Sequence, residues 1–369
     1  MSEPQPSASE RQSAVFSLVA GNIAGFSGTT AIPLWLAASG ARGELAGVVA
    51  SGEIAAIGLG TLGAAAIAGR IGARPLCLGA AAVAVVANLL AMLTFDAAFV
   101  VGRLLSGFAL GAVLATATAL AAQRVDAQKT LATMQIGLAC FAALFYLALP
   151  PLVEAVGDVA VFGGLAATAL CALLAAAAGL HGKVEQNNAG FRPIPRALLV
   201  LIGLAVMFVG QSMAWNSIFP LGAAKSFDMQ LVGKIMAACA VVMMVGPLLS
   251  RMLGERAGLR VPVLGFSLLL AADVVLIAQA QGLWLFAAAT AALVLLPGFG
   301  LPYVIARAGN LGDARHAGAA PAFLMLGSAL GPALAVPLVV AADWNAFGLV
   351  AGGACLIGAL LMGAGKGRT

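Results

Sequence analysis

Charge is what this sequence most lacks. Only 9% of its 369 residues are Asp, Glu, Lys or Arg, while 62% are hydrophobic. An ordinary globular chain carries about a quarter charged residues. A water-soluble fold with so little charge would present contiguous apolar surface and aggregate, which excludes a soluble domain for nearly all of the chain. Histidine is scarce too: His181 and His316 are the only two, and both fall in predicted loops, where a solvated ring is expected. The five cysteines, Cys77, Cys140, Cys171, Cys239 and Cys355, stand far apart inside apolar runs. No CxxC spacing occurs, so neither a metal site nor a disulfide framework is predicted, and small buried hydrophobes are the expected role. Phosphate-binding loops, paired-His metal motifs and G-x-S-x-G elbows are missing as well. Neither an enzyme nor a cofactor is predicted. Residues Met1 to Ser13 are polar, with Glu3, Glu10 and Arg11. They lack the basic start and short apolar core of a cleavable leader, so the first apolar run is expected to be a retained span.

What is present is apolar sequence in runs of about 20 residues, the length that crosses about 30 Å of hydrocarbon. Ala, Gly and Leu dominate, and small residues let membrane helices approach closely. The runs are continuous rather than alternating with period 2, which excludes the strands of a membrane barrel. Twelve spans are predicted, at about 14–38, 45–68, 76–95, 98–122, 130–152, 158–180, 197–222, 229–250, 261–281, 283–306, 317–341 and 344–364. The longest connection, 181–196, holds charge, an Asn pair and two prolines at the midpoint of the chain. With the N-terminus placed in the cytoplasm, fifteen Lys and Arg residues fall in inside segments and two, Arg42 and Lys225, in outside loops. This asymmetry predicts a multi-pass cell-membrane protein with both termini cytoplasmic. It also accounts for the net charge of +5 without a nucleic-acid partner.

An internal repeat is visible in the loops. Gly69-Arg70-Ile-Gly72-Ala-Arg74 follows the second span, and Glu255-Arg256-Ala-Gly258-Leu-Arg260 follows the eighth. Arg70 and Arg256, Gly72 and Gly258, and Arg74 and Arg260 are each 186 residues apart. The predicted fold is therefore all-α and integral to the membrane. Its twelve transmembrane helices form two pseudo-symmetric six-helix halves: a tail 1–13, a bundle 14–180, a linker 181–196, a bundle 197–364 and a tail 365–369. Parallel repeats of this kind mark one class of secondary transporters.

These features together resemble the major facilitator superfamily over essentially the whole chain. The family pattern after the second span is G-x-L-a-D-r-x-G-r-k. Arg70, Gly72 and Arg74 match it, whereas Gly69 stands at its acidic position and Ala65 at its first glycine. The second copy keeps the acid, as Glu255. Arg103-LLS-Gly107-FAL-Gly111 in the fourth span is similar to the family's R-x-x-x-G-x-x-x-G element. The resemblance implies alternating access and a latch on the cytoplasmic side formed by Arg70, Gly72, Arg74, Glu255, Arg256, Gly258 and Arg260. The fifth span lacks the glycine-and-proline signature of the family's drug antiporters, and Gly327-SAL-Gly331-Pro332 appears in the eleventh span instead.

Four ionisable residues fall inside spans: Glu53, Arg103, Lys234 and Asp273. A charge at a helix centre costs about 2.5–3.5 kcal/mol on insertion scales, so partners or functions are expected. Glu53 with Arg103 is the expected proton-coupling pair, with a static ion pair as the plainer alternative. Lys234 and Asp273, at similar depth in consecutive spans, are expected to pair structurally, with Lys234 snorkelling outward as the alternative. The resemblance implies a cavity lined by spans 1, 4, 7 and 10. On those spans Asn22, Thr29, Arg103, Gln211, Trp215, Asn216 and Tyr303 are the candidate substrate contacts. Asn22 and Thr29 share a helical face, as do Gln211 with Trp215 and Ser212 with Asn216. An amide beside an indole suits hydrogen bonding and stacking of a ligand; interhelical bonding is the alternative for the amides. Trp35 and Trp344, near span ends, are expected interfacial anchors. Pro297 and Pro302 predict a kink in the tenth span. The expected function is proton-coupled transport of a small organic solute by a monomer in a lipid bilayer, without a metal. A passive channel or facilitator, or an integral-membrane enzyme, is the alternative.

Overall fold

The computed structural model describes residues 8–38, 43–93, 97–122, 124, 127–180, 194–253, 256, 258–311 and 314–364. The described residues form helices without a strand. They are α1 (Ala8–Ala38), α2 (Gly43–Ile71), α3 (Ala73–Ala91), α4 (Ala97–Ala122), α5 (Ala127–Val156), α6 (Val159–Gly179) and α7 (Pro195–Asn216). Then follow α8 (Ile218–Ala223), α9 (Met229–Val242), α10 (Val245–Leu253), α11 (Arg260–Gln279), α12 (Leu283–Leu311), α13 (Ala314–Val340) and α14 (Trp344–Ala364). Among the described residues twelve segments are long and apolar enough to cross a membrane, as the sequence predicts, and the chain is a multi-pass membrane protein. α1 starts at Ala8, inside the predicted tail, so the polar residues before the span continue its helix.

Two spans differ from expectation. The seventh ends at Asn216, and a separate short helix, α8, follows Ser217. The eighth is broken into α9 and α10 by a turn at Met243 and Met244. The cause is Pro247, whose ring nitrogen cannot donate to the Met243 carbonyl four residues back and whose ring crowds that carbonyl. The kink predicted in the tenth span, by contrast, interrupts no helix: α12 runs unbroken through Pro297 and Pro302. Backbone groups freed by proline in a membrane helix are re-satisfied by local adjustment and neighbouring elements.

The chain divides into two compact units. The first comprises Met1–Ala31, Ala56–Phe141 and Asp158–Asn188; the second comprises Ile32–Ala55, Ala142–Gly157 and Ala189–Thr369. In the first unit α3 packs on α4 and α6. One core cluster there gathers Leu18, Cys77, Ala117, Leu120, Ala121 and Met134 with residues of α6. The second unit is built around α7, which packs on α11, α12, α13 and α14. Its approach to α14 is set by glycine. A Cβ on Gly203 would meet the Gly358 carbonyl at 2.8 Å, and one on Gly358 would meet the Gly203 carbonyl at 2.5 Å. The two backbones touch where neither residue has a side chain.

The repeated loops share a backbone feature. Gly72 has φ 91° and Gly258 has φ 64°, the left-handed region that glycine enters without steric cost. Gly72 directly precedes α3, and Gly258 stands two residues before α11. Two glycines 186 residues apart thus both take positive φ, with the next helix starting one residue after the first and two after the second.

Candidate functional site

In the first unit Arg103, on α4, is fully buried. Its Nη1 donates to Asn88 Oδ1 on α3. Asn88 Nδ2 in turn donates to the Ala84 carbonyl at 2.8 Å and to Ser106 Oγ at 3.1 Å. The guanidinium also lies 5.2 Å from the centre of the Phe162 ring on α6, whose edge meets Phe99. This cation–π contact and the amide give the charge polar company inside the bundle. Asn88 escaped the sequence reading. The signal was available, since it is the only amide in the apolar run of α3.

The two candidates on α1 are engaged within the protein. Asn22 is buried and its Nδ2 donates to the Met134 carbonyl of α5 at 3.1 Å. Thr29 Oγ1 donates to the Phe26 carbonyl of its own helix at 2.9 Å. Glu53, on α2, belongs to the second unit and is fully buried.

In the second unit α7 carries a directed polar chain. Ser212 Oγ donates to the Ser328 carbonyl of α13 at 2.7 Å. Asn216 Nδ2 donates to the Ser212 carbonyl at 2.8 Å and to Ser212 Oγ at 2.9 Å. Asn216 Oδ1 is buried and accepts no hydrogen bond among the described residues. The residue just before it, Trp215, meets the edge of Tyr146 with ring centres 6.2 Å apart. Gln211, four residues before Trp215, is half-buried. The spacing predicted by sequence is thus realised as an amide and an indole on adjoining turns, with Tyr146 of α5 beside them. Tyr303 is buried on α12; its hydroxyl donates to the Ser250 carbonyl of α10 at 3.0 Å and its ring packs on Phe299.

The second unit is closely packed where the first half of α2 meets the second half of α13 and where the first half of α9 meets the second half of α5. The Ala333 N–H on α13 donates to Ser51 Oγ on α2 at 2.9 Å. A Cβ on Gly47 would meet Val336 and the Pro332 carbonyl. On α9, a Cβ on Gly233 would meet the Tyr146 carbonyl and Pro150 of α5, and Gln230 Nε2 donates to Glu154 at 2.6 Å.

Of the expected latch, Arg70, Arg256 and Arg260 are exposed. Arg74 Nη2 donates to the Ala177 carbonyl of α6 at 2.7 Å, tying the start of α3 to the end of α6. Glu255 lies outside the described residues, as does His181.

Four expectations are corrected. Lys234 does not pair with Asp273: it stands exposed on α9, whereas Asp273 is buried on α11 with its Oδ2 unbonded among the described residues. Similar depth does not ensure a shared face, and a long lysine stem favours the surface. Trp35 is fully buried rather than anchored at an interface, because α1 carries it into the packed interior. His316 is a buried helical residue of α13, and its Nε2 accepts from the Ile194 N–H at the start of α7. Arg307, which the predicted spans leave in the inside segment after residue 306, is instead buried, because α12 extends to Leu311. Outside the spans, partial burial holds the Lys225 ammonium below its ordinary range. Its Nζ donates to the Ala278 carbonyl at the end of α11, at 3.2 Å.

The crystal structure of the POT family transporter PepTSo, determined in meso, is similar to this structure with a TM-score of 0.68. The match covers 96% of this chain and 98% of that one at 13% sequence identity. A shared fold is what a likeness at this identity establishes. No family model matches the sequence, and no curated protein matches it.

Proposed function

We propose that this chain is a secondary active transporter that moves a small organic solute by alternating access and draws on a proton gradient. The observation that carries the reading is the full burial of Glu53 and Arg103 within spans of a fold shared end to end with a transporter. Fold alone does not name a function. Intramembrane ionisable groups are functional sites by default, because their insertion cost is otherwise unrecovered.

In this reading Glu53 takes up and releases the driving proton, and Arg103 biases it toward the charged form when the two communicate. Asn88 and Phe162 keep the guanidinium placed for that role. Gln211, Trp215 and Asn216 carry most of the solute contact, through amide hydrogen bonds and an aromatic face. Asn22, Thr29 and Tyr303 line the path and brace it through the carbonyls they engage. Arg70, Gly72, Arg74, Glu255, Arg256, Gly258 and Arg260 form the latch at one membrane face. That face is the cytoplasmic one by the distribution of Lys and Arg. The protein works as a monomer in the cell membrane and needs no metal.

The test is uptake by proteoliposomes after a pH jump, with solutes first chosen by thermal stabilisation of the purified protein. Saturable uptake that follows the proton gradient is expected, with loss of that dependence in Glu53→Gln. Gradient-driven uptake that survives Glu53→Gln would remove Glu53 from the mechanism. Conductance without saturation would point to a channel instead.

A further inference from the structure

Asp273 is the only ionisable residue of α11 beyond Arg260 at its start. It lies six residues before the helix ends at Gln279, about 9 Å at 1.5 Å per residue. It is 7% exposed, and its Oδ2 has no hydrogen bond among the described residues.

The charged and titratable groups on the elements around it supply no partner. α14 offers only Cys355, whose Sγ donates to the Met207 carbonyl at 3.3 Å. α7 carries only Arg196, exposed in its first turn. α12 carries Tyr303, bonded to the Ser250 carbonyl, and Arg307, which lies beside Arg260 near the opposite end of α11. Lys225 is spent on the Ala278 carbonyl, and Lys234 on α9 is exposed. The surrounding packing is close: a Cβ on Gly352 of α14 would meet Val275 and the Ala271 carbonyl.

A buried carboxylate is tolerated when a cation or several donors face it, and otherwise the group takes its neutral form. We infer that Asp273 is a proton-binding site of the second unit, distinct from Glu53, and that it is occupied in the conformation described here. The step is simple. One proton passes from hydronium to the carboxylate: an O–H bond of hydronium breaks, the carboxyl O–H bond forms, and nothing is oxidised or reduced. Discharge needs water or a cation at the carboxyl, and Oδ2 is buried on α11, which packs closely on α14 two residues to either side of Asp273. Release of this proton therefore accompanies separation of those helices. The inference stands on the second unit alone and holds whether or not Glu53 couples transport.

Infrared difference spectroscopy of the full chain in lipid nanodiscs tests it, with protons as the only probe. A protonated-carboxyl C=O band is expected at neutral pH. It should shift in heavy water, vanish in Asp273→Asn and persist in Glu53→Gln. A band unchanged in Asp273→Asn, or no protonated band in the unmodified protein at neutral pH, would overturn the inference. Asp273→Glu guards against misfolding of the asparagine variant: its band should persist at a displaced frequency, and an undisplaced band is equally fatal. Loss of uptake in Glu53→Gln bears on the transport reading and leaves this measurement untouched.

Discussion

The polar groups inside this protein are organised by direction. Asn216 gives both its amide hydrogens to Ser212, and Ser212 gives its own to the Ser328 carbonyl. The order cannot be reversed, since a carbonyl only accepts. What remains is a buried acceptor, Asn216 Oδ1, suited to a solute that brings a hydroxyl or amino hydrogen. Asn216→Leu is therefore expected to abolish thermal stabilisation by any such solute found in the screen, while Asn22→Leu weakens it less. Around Arg103, Asn88→Leu leaves a guanidinium hydrogen and Ser106 Oγ short of a partner. That should lower stability by about 2 kcal/mol, the scale of a hydrogen bond to a charged group, read as a lower melting midpoint in detergent. Arg103 itself was legible as a charge in an apolar run. Asn88 carried a weaker signal, because a single amide interrupts a hydrophobic pattern without changing it. His316 was misplaced because α13 starts at Ala314, before the predicted span, and Trp35 for a related reason. Position along a span is readable, but the direction a side chain faces is decided by the helices packed around it.

At the scale of helices, proline acts differently in two neighbouring elements. Pro247 ends α9 and starts α10 a few residues apart, whereas Pro297 and Pro302 leave α12 continuous. The difference coincides with Gly246, which precedes Pro247 and sits against α12. A Cβ there would meet the Leu295 carbonyl at 2.5 Å, and one on Gly298 would meet the Met243 carbonyl at 3.3 Å. The break in one helix thus lies on the bare backbone of the other. Pro247→Ala is expected to restore a continuous helix and slow uptake by about tenfold, roughly 1.4 kcal/mol in the barrier, with solute stabilisation unchanged. Rates from the pH-jump assay and melting curves check the two halves of that statement. The sequence reading found the span and missed the break, since apolar periodicity runs through it undisturbed.

At the scale of the molecule, the repeat and the compact units divide the chain differently. The repeat splits it near the 181–196 linker, of which 181–193 lie outside the described residues. The units instead group Ile32–Ala55 and Ala142–Gly157 with the second half. Twelve spans and the 186-residue offset were legible because hydropathy and loop charge are local properties. Which helix ends cluster together was not, because it belongs to one conformation of the chain rather than to any segment. Cysteines at Ser51 and Ala333, in a background lacking the five native ones, are expected to cross-link under mild oxidation. Uptake should fall at least about tenfold and recover with reductant; full activity of the cross-linked protein would show that these helix ends never part.

The contacts at those ends have a thermodynamic consequence. Gly47 lies against Pro332 and Val336, and Gly233 lies against Pro150, so these contacts are apolar, beside the Ser51 bond and the exposed Gln230–Glu154 bond. Parting these contacts separates apolar surfaces and breaks two hydrogen bonds. Inverting a population from 1:99 to 99:1 takes about 5.5 kcal/mol of differential affinity. On the proposed transport reading, contacts of this make-up leave that sum within reach of one small solute and one proton, so the resting balance between conformations is expected to be shallow and easily tipped by cargo.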